Sequence, residues 1–296
     1  MNSTRGAPPM LTVAMPVYNA GIHLRLAVAS IRKQTFTDWE LLVMDDGSTD
    51  GALDQLTEEL NDPRIRVLRD GRNAGIAVRL NQAVDLAQGR YLARMDADDI
   101  SFPERFARQI TALQGDNGLD LVATRAITVD EFNQVSGSFP YAGSHAAICA
   151  RPWLGFHFPH PTWMGKTEWF RTHRYAVPAP YLCEDQELLL RSYRSSRFAT
   201  IDEVLFAYRV KNIPDWHRFP KIRRTMAKYQ LKYFMHSGQW YFALMALLML
   251  LAKVGLDQWR QWKRAPHLPQ AHGITTEMAH HWGGVLRYVA GNTRMP

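Results

Sequence analysis

Two short apolar runs in this chain stop abruptly in acid clusters, and that arrangement narrows the folds open to it. Residues 40–44 (ELLVM) end at Asp45-Asp46-Gly47-Ser48, and residues 91–95 end at Asp96-Ala97-Asp98-Asp99. Short apolar runs bounded by turn formers read as buried strands. The stretches between them carry helical spacing. A strand over 11–15 is followed by a helix over 23–34 with Leu24, Val28 and Ile31 on one face, and a helix over 52–60 precedes a strand over 65–68. Gly75 opens a helix to 87, Gly89 breaks it, and Pro103 stands where the first turn of a helix over 105–113 begins. This is the rhythm of βαβ units around a parallel sheet. A strand over 119–124, a helix over 184–193, a strand over 204–210 and helices over 218–237 and 239–254 complete the expectation. Residues 125–180, rich in aromatics, His and Pro, and the last thirty residues show no firm period.

Open α/β sheets bind ligands beyond the carboxyl ends of their strands, where both acid clusters lie. In an extended segment Asp96 and Asp98 point to the same side. Two hard oxygen ligands aimed at one point suit Mg²⁺ or Mn²⁺ better than Zn²⁺, and such ions complete their shells with water and substrate phosphates. One acid would suffice to cap the next helix, whereas three neighbouring acids repel unless a cation offsets them.

Charge is divided unevenly. Residues 1–210 hold 22 Lys+Arg against 25 Asp+Glu, and residues 211–296 hold 13 against 3. A uniformly basic nucleic-acid-binding chain is thereby disfavoured, and no nucleic-acid partner is expected. Cys149 and Cys183 have neither disulfide-framework nor zinc-ligand spacing, which points to reduced thiols in a cytosolic setting. The first ten residues lack the apolar run of an export signal. No GxGxxG follows the first strand, which argues against a dinucleotide-binding oxidoreductase.

Six motifs in order carry a family resemblance: Met15-Pro16-Val17-Tyr18-Asn19, Gln34-Thr35-Phe36, Asp45-Asp46-Gly47-Ser48-Thr49-Asp50, Asn73-Ala74-Gly75, Gly89-Arg90-Tyr91 and Asp96-Ala97-Asp98-Asp99. Together they resemble glycosyltransferase family 2, densely over about residues 10–125 and thinly to about 210. The resemblance implies a GT-A fold, a single mostly parallel mixed sheet flanked by helices, here with a C-terminal helical extension. It also implies an enzyme that moves one sugar from a nucleotide-diphosphate donor, with UDP-sugars favoured, to an acceptor hydroxyl with inversion. Carried across by motif, Asp46 matches the acid that binds the nucleotide base, with Pro16, Tyr18 and Asn19 lining the same pocket. Asp96 matches the first DxD acid near the ribose, Asp98 the metal ligand on the diphosphate, and Asn73 and Arg79 the segment facing the nucleotide.

Inverting transfer needs one general base and no acid, because the leaving diphosphate is weakly basic and a metal neutralises it. Glu184-Asp185, heading the helix expected over 184–193, resembles the family's ED motif, whose aspartate is the base; Asp185 takes that role and Glu184 is an acceptor or phosphate contact. The His160-Pro161-Thr162 segment resembles one that family members often carry, which makes His160 a candidate contact to diphosphate or acceptor. Many members place a histidine after the strand that here reads Tyr208-Arg209-Val210-Lys211. Protonated Lys211 is no metal ligand and is a candidate phosphate contact instead. Trp153, Trp163 and Trp169 are candidates for sugar stacking or for the core.

Residues 211–264 interleave eleven Lys+Arg with Trp, Tyr and Phe around the apolar run 240–252, which at thirteen residues is short for a membrane span. This is the composition of an interfacial element on an anionic leaflet. The expected partners are a glycan or lipid-linked acceptor and, peripherally, the inner face of the cell membrane. The competing arrangement is a helical hairpin packed on the domain or forming a homodimer. Three regions follow: 10–125 as the nucleotide-sugar half, 126–212 as the acceptor half, and 213–296 as the basic, aromatic tail. The alternative function is a non-catalytic protein of the same fold that binds a nucleotide sugar or a partner.

Overall fold

The computed structural model describes residues 7–210, 218–263 and 275–291. Strand β1 (Leu11–Val17) leads through a 3₁₀ turn (Gly21–His23) into α1 (Leu24–Arg32), and β2 (Trp39–Asp45) and β3 (Ile65–Arg69) follow. Next come α2 (Ile76–Leu86), β4 (Tyr91–Arg94), the short β5 (Ile100–Ser101), α3 (Arg105–Gly115), β6 (Leu121–Val129) and β7 (Val135–Ser138). The later part holds α4 (His145–Ile148), β8 (Met164–Lys166), α5 (Thr167–Thr172), α6 (Glu184–Ser192) and β9 (Phe198–Arg209). Among the described residues that remain, three helices follow: α7 (Arg218–His236), α8 (Trp240–Lys263) and α9 (Thr276–Ala290).

The strands form one sheet in the order β3-β2-β1-β4-β8-β6-β9-β5, with β7 paired to β6. The β3-β2-β1-β4 half is parallel, and β8 enters antiparallel between β4 and β6. Strands β1 and β2 are buried on both faces, so their apolar residues run nearly unbroken. Alternate residues serve opposite faces: Val13 and Met15 pack in the cluster that holds Val28, Ile31 and Phe106, and Ala14 in the one that holds Leu80 and Val84. Gly89 is required by the closeness of these layers. A Cβ there would come 2.4 Å from the Thr12 backbone nitrogen, and the Gly89 N–H donates to Thr12 Oγ1 at 2.9 Å.

Several expected elements differ. Residues 52–60 form two 3₁₀ turns (Leu53–Gln55 and Glu59–Asn61) rather than one helix. The Gln55 carbonyl, which a continuous helix would offer to the Glu59 N–H, accepts from Arg25 Nη2 at 2.6 Å. Strand β9 begins earlier than its apolar pattern predicts, because exposed Asp202 and Glu203 sit where its register against β6 shifts. Helix α9, in a stretch without a clear period, presents Met278, Trp282, Val285 and Val289 at helical spacing to Phe102 and Ile127, and Gly283-Gly284 interrupts that stripe in the sequence. Trp282 also donates to the Asn133 carbonyl at 2.9 Å.

Candidate active site

The strand order reverses at β1, whose neighbours β2 and β4 lead the chain in opposite directions. Such a switch point leaves a crevice beyond the strand carboxyl ends, and β1 and β4 run parallel in register from Leu11↔Tyr91 to Ala14↔Arg94. The crevice is a cavity of about 580 Å³ lined by Pro16, Tyr18, Asn19 and His23 from the β1 side and by Asp96 and Asp98 after β4. Glu131, Arg209 and Val210 close it. Tyr18 is 56% exposed, its ring open to the cavity mouth rather than packed in the core. Asn19 takes the left-handed conformation (φ 50°) and its carboxamide oxygen accepts from the Thr49 N–H at 2.8 Å, tying the two loops together. His23, which the sequence did not mark, is held neutral: burial and then the charge of Arg209 push it down to about 4.

Asp96, Asp98 and Asp99 place carboxylate oxygens within 4.8 Å of one another. Asp99 is 1% exposed; one of its oxygens accepts from the Arg209 N–H at 2.7 Å, and the other is buried without a hydrogen-bond partner among the described residues. Burial, then the neighbouring Asp96 charge, raises both Asp98 and Asp99 above the ordinary carboxylate range. An all-oxygen donor set with an unserved buried oxygen and mutual repulsion fits a hard divalent cation. Arg209 braces the cluster from β9, donating from Nε to the Asp98 carbonyl at 2.8 Å. Arg94, on the last residue of β4, pairs with Asp96 at 2.6 Å. Burial works against the Arg94 charge, but Asp96 outweighs it and holds the guanidinium protonated.

The second acid pair reaches the same place from far along the chain. Glu184 and Asp185 open α6, after Leu182 turns the chain with a left-handed φ of 50°. Burial, then the Asp185 charge, pushes Glu184 up to about 7, and Arg94 and Asp96 are both near enough to act on it. Burial likewise raises Asp185, against a hydrogen bond from Gln186 Nε2 at 3.1 Å. His160 stands behind this pair: Nε2 is 2.7 Å from Tyr175 Oη, Nδ1 is 3.9 Å from Glu184, and burial followed by Arg94 keeps the ring neutral. Arg105, fully buried, donates to the Arg94 and Pro161 carbonyls at 2.8 and 3.1 Å and so ties β4 to the His160–Thr162 turn.

Other expected site residues lie apart from that cavity. Asp46, 5% exposed, accepts from the N–H groups of Ala74 and Gly75 and from Arg79 Nε at 2.9 Å. Arg79, 3% exposed, also pairs with Asp70 at 2.7 Å. The two therefore fix the loop from Asp70 to Gly75, with Asn73 exposed at its tip. Trp163 and Trp169 are core residues, and Trp153 packs on Phe242 of α8. Lys211 falls outside the described residues. Cys149 and Cys183 are unpaired, and burial pushes both thiols up to about 12.

Glu184 carries a stability test. Its carboxyl titrates at about 7 in the folded protein against 4.5 when free, so folding favours the protonated form. That contribution is complete below pH 4.5 and is lost as the pH rises through about 7. Glu184→Gln is therefore expected to be nearly neutral at pH 4 and stabilising at pH 8, by at most about 3 kcal/mol, in denaturant titrations at the two pH values.

Known proteins resemble this chain in sequence and in fold. Residues 12–174 match the family described as Glycosyl transferase family 2. EpsE of Bacillus subtilis, a glycosyltransferase by name, is 31% identical over 207 residues, spanning 68% of this chain and 73% of EpsE. WfgD of Escherichia coli is named as a UDP-Glc:alpha-D-GlcNAc-diphosphoundecaprenol beta-1,3-glucosyltransferase; it is 35% identical over 108 residues, 36% of this chain and 42% of WfgD. Among solved structures, the mannosyltransferase PcManGT of Pyrobaculum calidifontis, in complex with GDP-Man and Mn²⁺, superposes with a TM-score of 0.58 at 15% identity, over 95% of this chain and 85% of that one. S. aureus TarS 1–349 with UDP-GlcNAc gives 0.57 at 19% identity, over 75% of this chain and 66% of that one. At these identities the structural likeness concerns the GT-A fold alone. The family match and the EpsE relationship carry the assignment: this chain belongs to glycosyltransferase family 2 and is a glycosyltransferase that uses a nucleotide-sugar donor.

Proposed function

We propose that this chain is an inverting, metal-assisted transferase that moves a hexose from a nucleoside-diphosphate donor to a hydroxyl of a glycan or lipid-linked acceptor. The single observation behind this reading is the meeting of two acid sets from distant segments, Asp96-x-Asp98-Asp99 and Glu184-Asp185, around Arg94 beside a 580 Å³ cavity. In this reading Pro16, Tyr18 and Asn19 hold the nucleoside, and Asp96 meets the ribose. Asp98, with Asp99, holds Mg²⁺ or Mn²⁺, which when bound neutralises charge developing on the leaving diphosphate. Asp185 takes the proton from the acceptor hydroxyl as its oxygen attacks the anomeric carbon from the face opposite the diphosphate. The Arg94 charge opposes the rise that burial imposes on Glu184 and Asp185, which favours the ionised form of the base. Asp46 and Arg79 shape the loop from Asp70 to Gly75 that flanks the nucleotide.

A UDP-sugar is favoured by the named donors of WfgD and TarS, and the diphosphoundecaprenol in the WfgD name makes a lipid-linked acceptor at the cytoplasmic face of the membrane the first to try. The test is slow release of UDP from UDP-hexoses with Mn²⁺ and none with a chelator. Metal-dependent binding of UDP-sugars and GDP-Man without any turnover, even with lipid-linked acceptors, would favour the non-catalytic alternative.

A further inference from the structure

The C-terminal hairpin carries two surfaces that the transfer reaction does not use. Its inner face is fixed to the catalytic domain. Phe234, Ala243 and Ala246 are buried in the cluster that also holds Phe156 and Leu189, and Gln230 Nε2 donates to the Pro152 carbonyl at 2.8 Å. The outer face of α8 is apolar and open: Trp240, Leu244, Leu247, Leu248, Leu251 and Trp259 are all between 40% and 65% exposed. Their spacing puts them in one stripe about 28 Å long at 1.5 Å per residue. The unbroken apolar run of thirteen residues lies within a longer helical stretch, Trp240–Trp259, that by length and composition is apolar enough to cross a membrane. Its inner residues, however, are committed to protein, and Asp257 is buried against Arg223, so the helix has one free side rather than a lipid-facing circumference.

The neighbouring helix α7 holds six Lys+Arg and no acid over Arg218–His236. Lys221, Arg224, Lys228 and Lys232 are exposed and recur at intervals of three, four and four, which places them on one face. We infer that this hairpin docks flat on an anionic lipid bilayer, with the α8 stripe in the interfacial layer and the α7 cations on the headgroups. Charge complementarity selects the occupant. A second copy of the chain would meet the apolar stripe equally well, but a self-complementary interface would bring two acid-free cationic helices together. The docked face also adjoins the catalytic acids. Cys183, one residue before Glu184, donates from Sγ to the Ile222 carbonyl of α7 at 3.8 Å, and Lys221 Nζ lies 3.9 Å over the Tyr181 ring. The bilayer surface is thus set beside the segment that carries Glu184 and Asp185, where an acceptor anchored in lipid would arrive.

The inference stands independently of the donor assignment, because vesicle binding is measured without sugar transfer. The full chain is incubated with vesicles of phosphatidylglycerol and phosphatidylcholine in equal parts, or of phosphatidylcholine alone, and floated on a density gradient. Wild type is expected to float with the anionic vesicles only and to be released by salt. Arg224→Glu/Lys228→Glu/Lys232→Glu is expected to weaken partitioning on the order of 100-fold, at about five-fold per cation removed. Leu248→Ser/Leu251→Ser should also weaken it, and both variants alter exposed positions, so melting temperatures should match wild type. Equal flotation with neutral vesicles, or none with either, would overturn the inference. So would a wild-type dimer in sedimentation equilibrium that Leu248→Ser/Leu251→Ser dissociates while vesicle binding is absent.

Discussion

Replacing Asp185 with asparagine is expected to lower sugar transfer by roughly 100- to 10,000-fold, the range that a positioned general base contributes, while nucleotide affinity stays near wild type. The carboxamide keeps the size of the side chain and its place beside Gln186 but takes no proton at neutral pH. Asp185 opens α6 rather than lining the cavity that holds Tyr18 and Asp98, so its loss leaves the nucleoside contacts in place. A steady-state comparison with a calorimetric titration of UDP separates the two effects: the fall should lie in kcat. Since burial raises the Asp185 carboxyl, wild-type transfer should fall on acidification at a higher pH than an ordinary aspartate would set, and the variant's residual rate should lose that limb. Full transfer activity in Asp185→Asn would remove the base assignment.

Asp98→Ala is expected to act on a different quantity. Asp98 lies with Asp96 and Asp99, all within 4.8 Å, so removing it takes away one of the two carboxylates assigned to the cation and part of the charge around it. Transfer should drop by roughly 100- to 1,000-fold, the scale on which electrostatic stabilisation of a developing charge is lost. Unlike Asp185→Asn, this variant should also bind UDP more weakly in the presence of Mn²⁺. Its fold should survive, because burial and the Asp96 charge both work against the Asp98 carboxylate, and removing it relieves that repulsion. An unchanged melting temperature, or a small rise, is expected without metal.

The contrast between these residues shows what was legible in the sequence. Asp96, Asp98 and Asp99 are neighbours along the chain at the end of an apolar strand, so period and charge exposed them directly. Asp185 needed the family motif, since a pair of acids at a helix start serves the helix dipole equally well. Arg94 and Arg209 went unmarked although both brace the acid cluster. An arginine at the end of a strand gives no local sign of its partner, and the Arg209 N–H meets Asp99 across 110 positions only because β9 and β5 pair. His23 was hidden for the same reason: its place in the cavity depends on how the 3₁₀ turn after β1 sits against Arg209. Conversely, Asp46 and Arg79 were both picked out, yet their mutual ion pair and their hold on Asp70 and the Gly75 N–H became visible only in three dimensions. The fold was readable through residue 113, apart from the 3₁₀ turns at Leu53–Gln55 and Glu59–Asn61 and the short β5, because strands buried on both faces and amphipathic helices keep clear periods. It blurred where β9 carries exposed acids in a bulge, and where paired glycines split the α9 stripe.

The claim beneath all of this is that Asp98, with Asp99, holds a divalent cation that joins the chain to a nucleoside diphosphate in the cavity between β1 and β4. A calorimetric titration of UDP and GDP into wild type and Asp98→Ala, each with Mn²⁺ and with a chelator, tests it most directly. The expected result is nucleotide binding to wild type that requires Mn²⁺ and is lost or strongly weakened in Asp98→Ala. Binding of equal strength with and without Mn²⁺, or no binding of either nucleotide to wild type with the metal present, would contradict it.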